Sequence, residues 1–323
     1  MEPVENQVSL SVLIATYNRA DVLRQTLKGM CAVEREGLDV EFVVIDNNSG
    51  DDTSAVIDSF KDRLPIRHLF QPRQGKSAAL NLALDTVELG EIVAFTDDDV
   101  VSGRDWLKRV AWSCATWSEY SVFGGELYNT WPEDTRLPSW VRNPEVARKF
   151  FGTRESLGRC IEYPENQLPT GANFWVRKAV IQQGFRFDEL LGAGDIPRTG
   201  EDTVFLRTLR SSGFPPFFVT DAGVGHLIQA SRLRKSEVRR LAFRRGRSEA
   251  YKQALQGCSA VESACSQRAF RRMLSVGYRC VIAWSFSLPM YPQWIYIKNL
   301  RSWWNYGYAT ELLRLSRVHD AID

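Results

Sequence analysis

Three consecutive carboxylates, Asp97-Asp98-Asp99, follow directly on the apolar run EIVAFT. Placed together at the mouth of a buried strand they repel one another, so a partner of opposite charge is required, and oxygen donors of this kind suit Mg²⁺ or Mn²⁺. Standing alone, the same triplet would read as a solvated polar turn. A second acidic group, Glu201-Asp202, follows Gly200. A hydroxyl is a poor nucleophile, and a carboxylate within hydrogen-bond reach can take its proton as general base. The competing reading is an acidic first turn of the helix TVFLRTLR, where the dipole favours Asp and Glu. His226, one of three histidines, lies in GVGHL, and a lone histidine is usually a packing residue. The tripeptide Gly75-Lys76-Ser77 invites a phosphate-loop reading, but Phe70 stands where that motif needs glycine. No GxGxxG follows the first strand, which disfavours a dinucleotide enzyme, and neither GxSxG nor HExxH is present.

The elements that must carry these residues are legible from periodicity. VSLSVLIA (8–15) is a strand ended by the turn Thr16-Tyr17-Asn18-Arg19, and a helix begins near Asp21. EFVVI (41–45) repeats the event, with Asp46 to Gly50 as its polar turn. Residues 66–70 predict a third strand before the helix KSAALNLALDTV, and EIVAFT a fourth. Alternation at this spacing implies an α/β fold built on a doubly wound, mostly parallel sheet. Such sheets bind ligands at the carboxyl ends of their strands, where every cluster named so far lies. Residues 129–169 hold five of the thirteen prolines and little periodicity, so they predict a long loop-rich excursion able to cover an acceptor. PTGANFWVRKAVIQQGFRF and EDTVFLRTLRSSG predict a strand and helices, and PPFFVTDAGVGHL a final strand.

Composition sets the outer limits. A chain of 323 residues, 44% hydrophobic and 25% charged, can bury a full core, which excludes disordered and small disulfide-stapled classes. Its formal net charge of +2 gives no bulk argument for nucleic acid. The six scattered cysteines form no CxxC or zinc-type spacing, and the first thirty residues carry no secretory pattern. A reduced, cytoplasmic setting is the expectation.

SVLIATYNR, VVIDNNSGDDT, GKSAALN, AFTDDDV, PTGANFWVRKAV and GEDTVFL, in that order, resemble the family 2 glycosyltransferases over residues 8–247. The resemblance implies a GT-A fold and inverting transfer of a sugar from a nucleotide diphosphate donor to an acceptor hydroxyl. It implies that Thr16, Tyr17 and Asn18 hold the nucleoside and Asp46 the base. Lys76 would lie near the base or diphosphate, Asp97 near the ribose or metal, and Asp99 on the metal. Asp202, beside Glu201, would be the catalytic base. His226, with Arg232 nearby, would complete the metal or diphosphate site. Gly171-Ala172-Asn173 would bring backbone close to sugar or acceptor, or simply make a tight approach into a strand. FRRGRS stands where processive synthases carry Gln-x-x-Arg-Trp, which favours one sugar per binding event. The alternatives are a catalytically silent nucleotide-sugar or membrane-binding module, and a sugar-nucleotide pyrophosphorylase.

The expected organisation is a catalytic domain over 1–230, with a nucleotide-binding half (1–105) and an acceptor half (106–230), then a helical, basic and aromatic extension over 231–323. Residues 232–247 carry eight basic side chains against Glu237. Eighteen uncharged residues follow at Cys280–Ile297, interrupted by Pro289 and Pro292, with tryptophan and tyrosine concentrated there. A basic run is often only a solvated helix face. Joined to an aromatic tail it predicts peripheral attachment to an anionic membrane on its cytoplasmic face and a glycan or lipid-linked acceptor, with a dimer interface as the other reading.

Overall fold

A computed structural model describes residues 7–133, 135–192, 199–255 and 293–319. The chain divides into two units, one of Met1–Trp131, Gly152–Asp195 and Glu201–Ile228, the other of Pro132–Phe151, Ile196–Gly200 and Gln229–Asp323. In chain order, β1 (Val8–Thr16) leads to α1 (Ala20–Cys31), β2 (Leu38–Asp46) to α2 (Thr53–Asp58), and β3 (Ile66–Phe70) to α3 (Lys76–Thr86). Next come β4 (Ile92–Asp97), β5 (Val100–Ser102), α4 (Trp106–Thr116), β6 (Val122–Gly124) and β7 (Leu127–Thr130). Beyond α5 (Pro144–Phe151) lie β8 (Ile161–Glu162), β9 (Asn173–Arg177), α6 (Lys178–Ile181), α7 (Glu201–Ser211), β10 (Pro216–Phe218) and β11 (Val224–Leu227). Two long helices follow, α8 (Lys235–Leu255) and α9 (Gln293–His319).

The first unit is built on an eight-stranded sheet of order β3-β2-β1-β4-β9-β6-β10-β8. β1 to β4 are mutually parallel, as expected, whereas β9 runs antiparallel between β4 and β6. The unbroken apolar runs of β1 and β2 have a direct cause. Val12, Ile14, Phe42 and Val44 enter the core on one face, while Leu13, Val43 and Ile45 enter a second core on the other. Parallel strands covered by helices on both sides read as continuous hydrophobic runs.

Register then places the polar residues. Thr16 stands opposite Asp46, Ala15 opposite Asp97, and Thr96 opposite Asn173, so one sheet edge collects the polar turns. The segment expected to be one final strand is two. β10 pairs with β6 in the large sheet, and β11 joins a separate three-stranded sheet of order β5-β11-β7. His226 therefore lies within a strand, paired with Val100, one residue beyond Asp99.

Asn173 ties these parts together. Fully buried, it accepts the Trp106 indole N–H at 3.2 Å and donates to the carbonyls of Glu126 and Ala222 at 2.9 and 2.7 Å. Asn173→Ala is expected to destabilise the protein by about 2–3 kcal/mol, because those groups stay buried without partners. A thermal midpoint unchanged within a degree would contradict this.

The excursion at 129–169 is less irregular than its prolines suggest, and its Pro132–Phe151 part belongs to the second unit. Asn143 accepts the backbone N–H groups of Glu145 and Val146, and Pro144 occupies the first turn of α5, a cap-plus-proline helix start. α8 and α9 lie against each other at two glycines. A Cβ on Gly246 would stand 1.9 Å from the Trp304 carbonyl oxygen, and one on Gly307 the same distance from that of Phe243. Arg247, expected in a surface basic run, turns inward and pairs at 2.7 Å with Glu311, which is fully buried and also accepts from Arg314. Arg234, Arg239 and Arg240 are exposed. Among the described residues no helix is long and apolar enough to cross a membrane. Residues 280–292 of the uncharged stretch lie outside the described residues.

Candidate active site

The site lies where β1, β2 and β4 end and α3 and α7 begin. After β1 the chain turns through Asn18, at φ 50°. Its side-chain oxygen accepts the Gly50 N–H at 2.7 Å, and its own N–H donates to Ser49 Oγ at 2.9 Å, fastening the first polar turn to the second. Tyr17 is 43% exposed beside them. Asp46 is buried and accepts the Ser49 N–H at 2.9 Å. Asn47 donates to the carbonyls of Gln71 and Arg73 and accepts the Gly75 N–H at 2.7 Å, which fixes the turn that launches Lys76. Gly75 at φ 140° is a conformation other residues rarely adopt.

The three aspartates do not act as one cluster. Asp97 is paired with Lys76 Nζ, which also lies 3.6 Å from Glu201 Oε1. Asp98 accepts the Thr16 hydroxyl at 2.7 Å and Arg19 Nη1 at 2.5 Å. Asp99 Oδ2 accepts Arg19 Nη2 at 2.6 Å and stands 3.2 Å from His226 Nε2. The repulsion among the three carboxylates is thus met in part by two side chains of the protein itself, Arg19 and Lys76. Burial pushes the Asp98 carboxyl up to about 6 against the opposing pull of Arg19, with Asp99 adding to the rise. Burial acts on Asp99 too, but the hydrogen bond and charge of His226, with Arg19, outweigh it and hold that group well below the usual carboxylate range. Burial disfavours the charge on Lys76, yet Asp97 and Glu201 beside it keep the ammonium above its ordinary range. Burial raises the Glu201 carboxyl against the pull of Lys76, with Asp202 adding to it.

Asp202 opens α7. Its Oδ2 accepts the Gly171 N–H and its Oδ1 the Thr203 N–H, each at 2.8 Å. A Cβ on Gly171 would lie 2.9 Å from Asp202 Oδ2, so glycine is what lets the carboxylate reach that amide. Lys76, Thr96, Gly171, Glu201 and Asp202 line one recess above Phe95 and Phe174.

Of the residues expected from sequence, the structure brings Asp99 to His226, Asp97 to Lys76 and Glu201, and Asp202 to Gly171. It keeps Asp97 out of the Asp99–His226 pair, and Arg232 lies in the short turn Ala230–Leu233 of the second unit. The sequence places Arg19 and Asn47 within the polar turns of the candidate site and Asn173 in the Gly171-Ala172-Asn173 approach, but it gives none of these three side chains a role of its own. Arg19 had a usable signal, since buried acids need a counter-charge and its turn ends beside them. The two asparagines carried none. Among the described residues no three His, Cys, Asp or Glu side chains converge to cage a metal. The Asp99–His226 pair nevertheless fits Mg²⁺ or Mn²⁺, which take one or two protein donors and complete their shell with water and substrate phosphate.

Comparison with known proteins decides the class. The family model for glycosyl transferase family 2 matches residues 11–185. The chain belongs to glycosyl transferase family 2. It is a glycosyltransferase of GT-A fold, with helices following the catalytic sheet. The succinoglycan biosynthesis protein ExoM of Rhizobium meliloti is 26% identical over 247 residues, 74% of this chain and 73% of that protein. The GalNAc(5)-diNAcBac-PP-undecaprenol beta-1,3-glucosyltransferase of Campylobacter jejuni is 36% identical over 93 residues, 28% of this glycosyltransferase and 29% of its own length. In fold, the mannosyltransferase PcManGT from Pyrobaculum calidifontis, solved with GDP-Man and Mn²⁺, superimposes with a TM-score of 0.57 at 17% identity, covering 94% of this chain and 86% of that one.

Proposed function

We propose that this glycosyltransferase is inverting, metal-dependent and non-processive, moving a sugar from a nucleotide diphosphate donor to a hydroxyl of a glycan or lipid-linked acceptor. The observation that carries this is the Asp202 carboxylate, held on both oxygens by backbone N–H groups and lining one recess together with Lys76 and Glu201. A carboxylate so oriented can accept the acceptor proton as the new C–O bond forms and the bond to the diphosphate breaks. One displacement inverts the anomeric carbon. Asp99 and His226 would hold the metal, which neutralises charge developing on the leaving diphosphate. Lys76 adds a fixed cation at the same edge. Donor and metal are supported by the PcManGT complex with GDP-Man and Mn²⁺, and the acceptor class by the undecaprenol-linked acceptor in the Campylobacter enzyme's name. FRRGRS in place of Gln-x-x-Arg-Trp supports single transfers.

A ligand that binds only the native state raises the thermal midpoint by mass action, equivalent to about 2.7 kcal/mol at a hundred times Kd. With UDP-, GDP-, dTDP- and CMP-sugars, one nucleotide should give a Mn²⁺-dependent shift, and Asp99→Asn should abolish most of its metal dependence. Retained anomeric configuration in the product, read by NMR, would refute direct displacement. Attachment to a membrane surface is part of the same proposal and rests on exposed Arg234, Arg239 and Arg240. Each basic residue near an anionic surface is worth about 1 kcal/mol. Flotation with anionic liposomes should therefore weaken strongly in the double variant Arg239→Glu, Arg240→Glu; equal flotation would remove the membrane from the proposal.

A further inference from the structure

We propose that Arg19 is the internal counter-ion of the metal position and must release Asp99 for metal to bind, so that metal and donor diphosphate are taken up cooperatively. The inference rests on the metal-dependent reading above and extends it to a residue with no role assigned so far. Arg19 is fixed at its backbone, where its carbonyl accepts the N–H groups of Val22 and Leu23 at the start of α1. From there its guanidinium forks across two carboxylates, Nη1 to Asp98 and Nη2 to Asp99. The two ends differ in consequence. Asp98 is anchored a second time by Thr16 and keeps its place if the fork opens. Asp99 Oδ2 is the oxygen that also faces His226, so Nη2 occupies the coordination side of the Asp99–His226 pair.

A guanidinium 2.6 Å from a carboxylate oxygen and a divalent ion on that same oxygen repel each other, so they compete for it. The Arg19 side chain is one-third exposed, so an incoming anion can reach it. Guanidinium binds phosphate oxygens in the same bidentate manner as carboxylates. A diphosphate therefore draws Nη2 away from Asp99 and opens that carboxylate. Because binding free energies are linked, each ligand must then tighten the other by the same factor.

The test is Mn²⁺ binding, followed by the EPR signal of free Mn²⁺, with and without UDP, GDP or dTDP. Wild-type protein is expected to bind Mn²⁺ alone weakly and about tenfold or more tightly with the matching nucleotide, within the usual range of coupling. Arg19→Gln should bind Mn²⁺ alone about tenfold more tightly than wild type, with the nucleotide effect lowered by about the same factor and any remainder due to phosphate oxygens completing the shell of the ion. Arg24→Gln removes an exposed cation from the same helix and should change neither value. Arg19→Lys keeps the charge without the fork and should fall between, which preserves the test if the glutamine variant fails to fold. Mn²⁺ uptake that is independent of nucleotide in wild type, or unchanged in Arg19→Gln, overturns the role of Arg19 and leaves the metal reading standing. No Mn²⁺ uptake by any form with any of the three nucleotides overturns both.

Discussion

Asp202→Asn is expected to lower sugar transfer by roughly 10²- to 10⁴-fold, the usual contribution of a positioned general base. That corresponds to about 3 to 5 kcal/mol of transition-state stabilisation. Asparagine matches the shape of aspartate but cannot accept the acceptor proton. Its cost to the fold is small. Both Asp202 oxygens accept backbone N–H groups, from Gly171 and Thr203, so the amide NH₂ must face one donor and forfeit one hydrogen bond, about 1 kcal/mol. Donor binding should survive, because the residues expected to meet the diphosphate and metal are Lys76, Asp99 and His226. Transfer assayed beside the donor-induced thermal shift separates the two effects. Activity within threefold of wild type would refute the base assignment, whereas loss of the thermal shift as well would make Asp202 a binding residue.

Gly246→Val is expected to destabilise the helical pair of the second unit by about 4 kcal/mol or more, against the direction that local propensity gives. In an exposed helix interior any ordinary residue improves on glycine by up to about 1 kcal/mol. Here a Cβ would stand 1.9 Å from the Trp304 carbonyl oxygen, and Gly307 meets Phe243 in the same way, so the backbones themselves must part. Overpacking alone costs about 1–3 kcal/mol. Separation also strains the pairing of Arg247 with buried Glu311 in the next turn, and uncompensating a buried charge costs about 3–5 kcal/mol. Gly246→Ala provides the sign test in urea titration. A lower midpoint places the glycine at the helix crossing, and a higher one would show that propensity governs and the two helices do not pack there.

Much of the catalytic scaffold was legible because its causes are local. Apolar runs such as VSLSVLIA and EFVVI end in polar turns at Thr16 and Asp46, and a parallel sheet brings strand ends to one edge without knowledge of any side-chain contact. The acid pair at Glu201-Asp202 could likewise be placed at a helix start from the pattern that follows it. The antiparallel insertion of β9 between β4 and β6 was not legible, nor was the division of PPFFVTDAGVGHL between two sheets. Strand order is chosen by which buried faces fit together, and each of those short runs is equally strand-like in any position.

The sequence by itself determined the α/β class, the strand ends that carry the acids and the family to which the chain belongs. Tertiary structure decided which charges meet: Asp97 with Lys76, Asp98 and Asp99 with Arg19, and Asp99 with His226. It also decided that Arg247 turns inward to Glu311 and that two glycines sit where α8 and α9 lie closest. The reason is one of range. Periodicity and turn chemistry act over a few residues, whereas Arg19 and Asp99 are 80 residues apart and meet because the β1–β4 pairing delivers both turns to one edge.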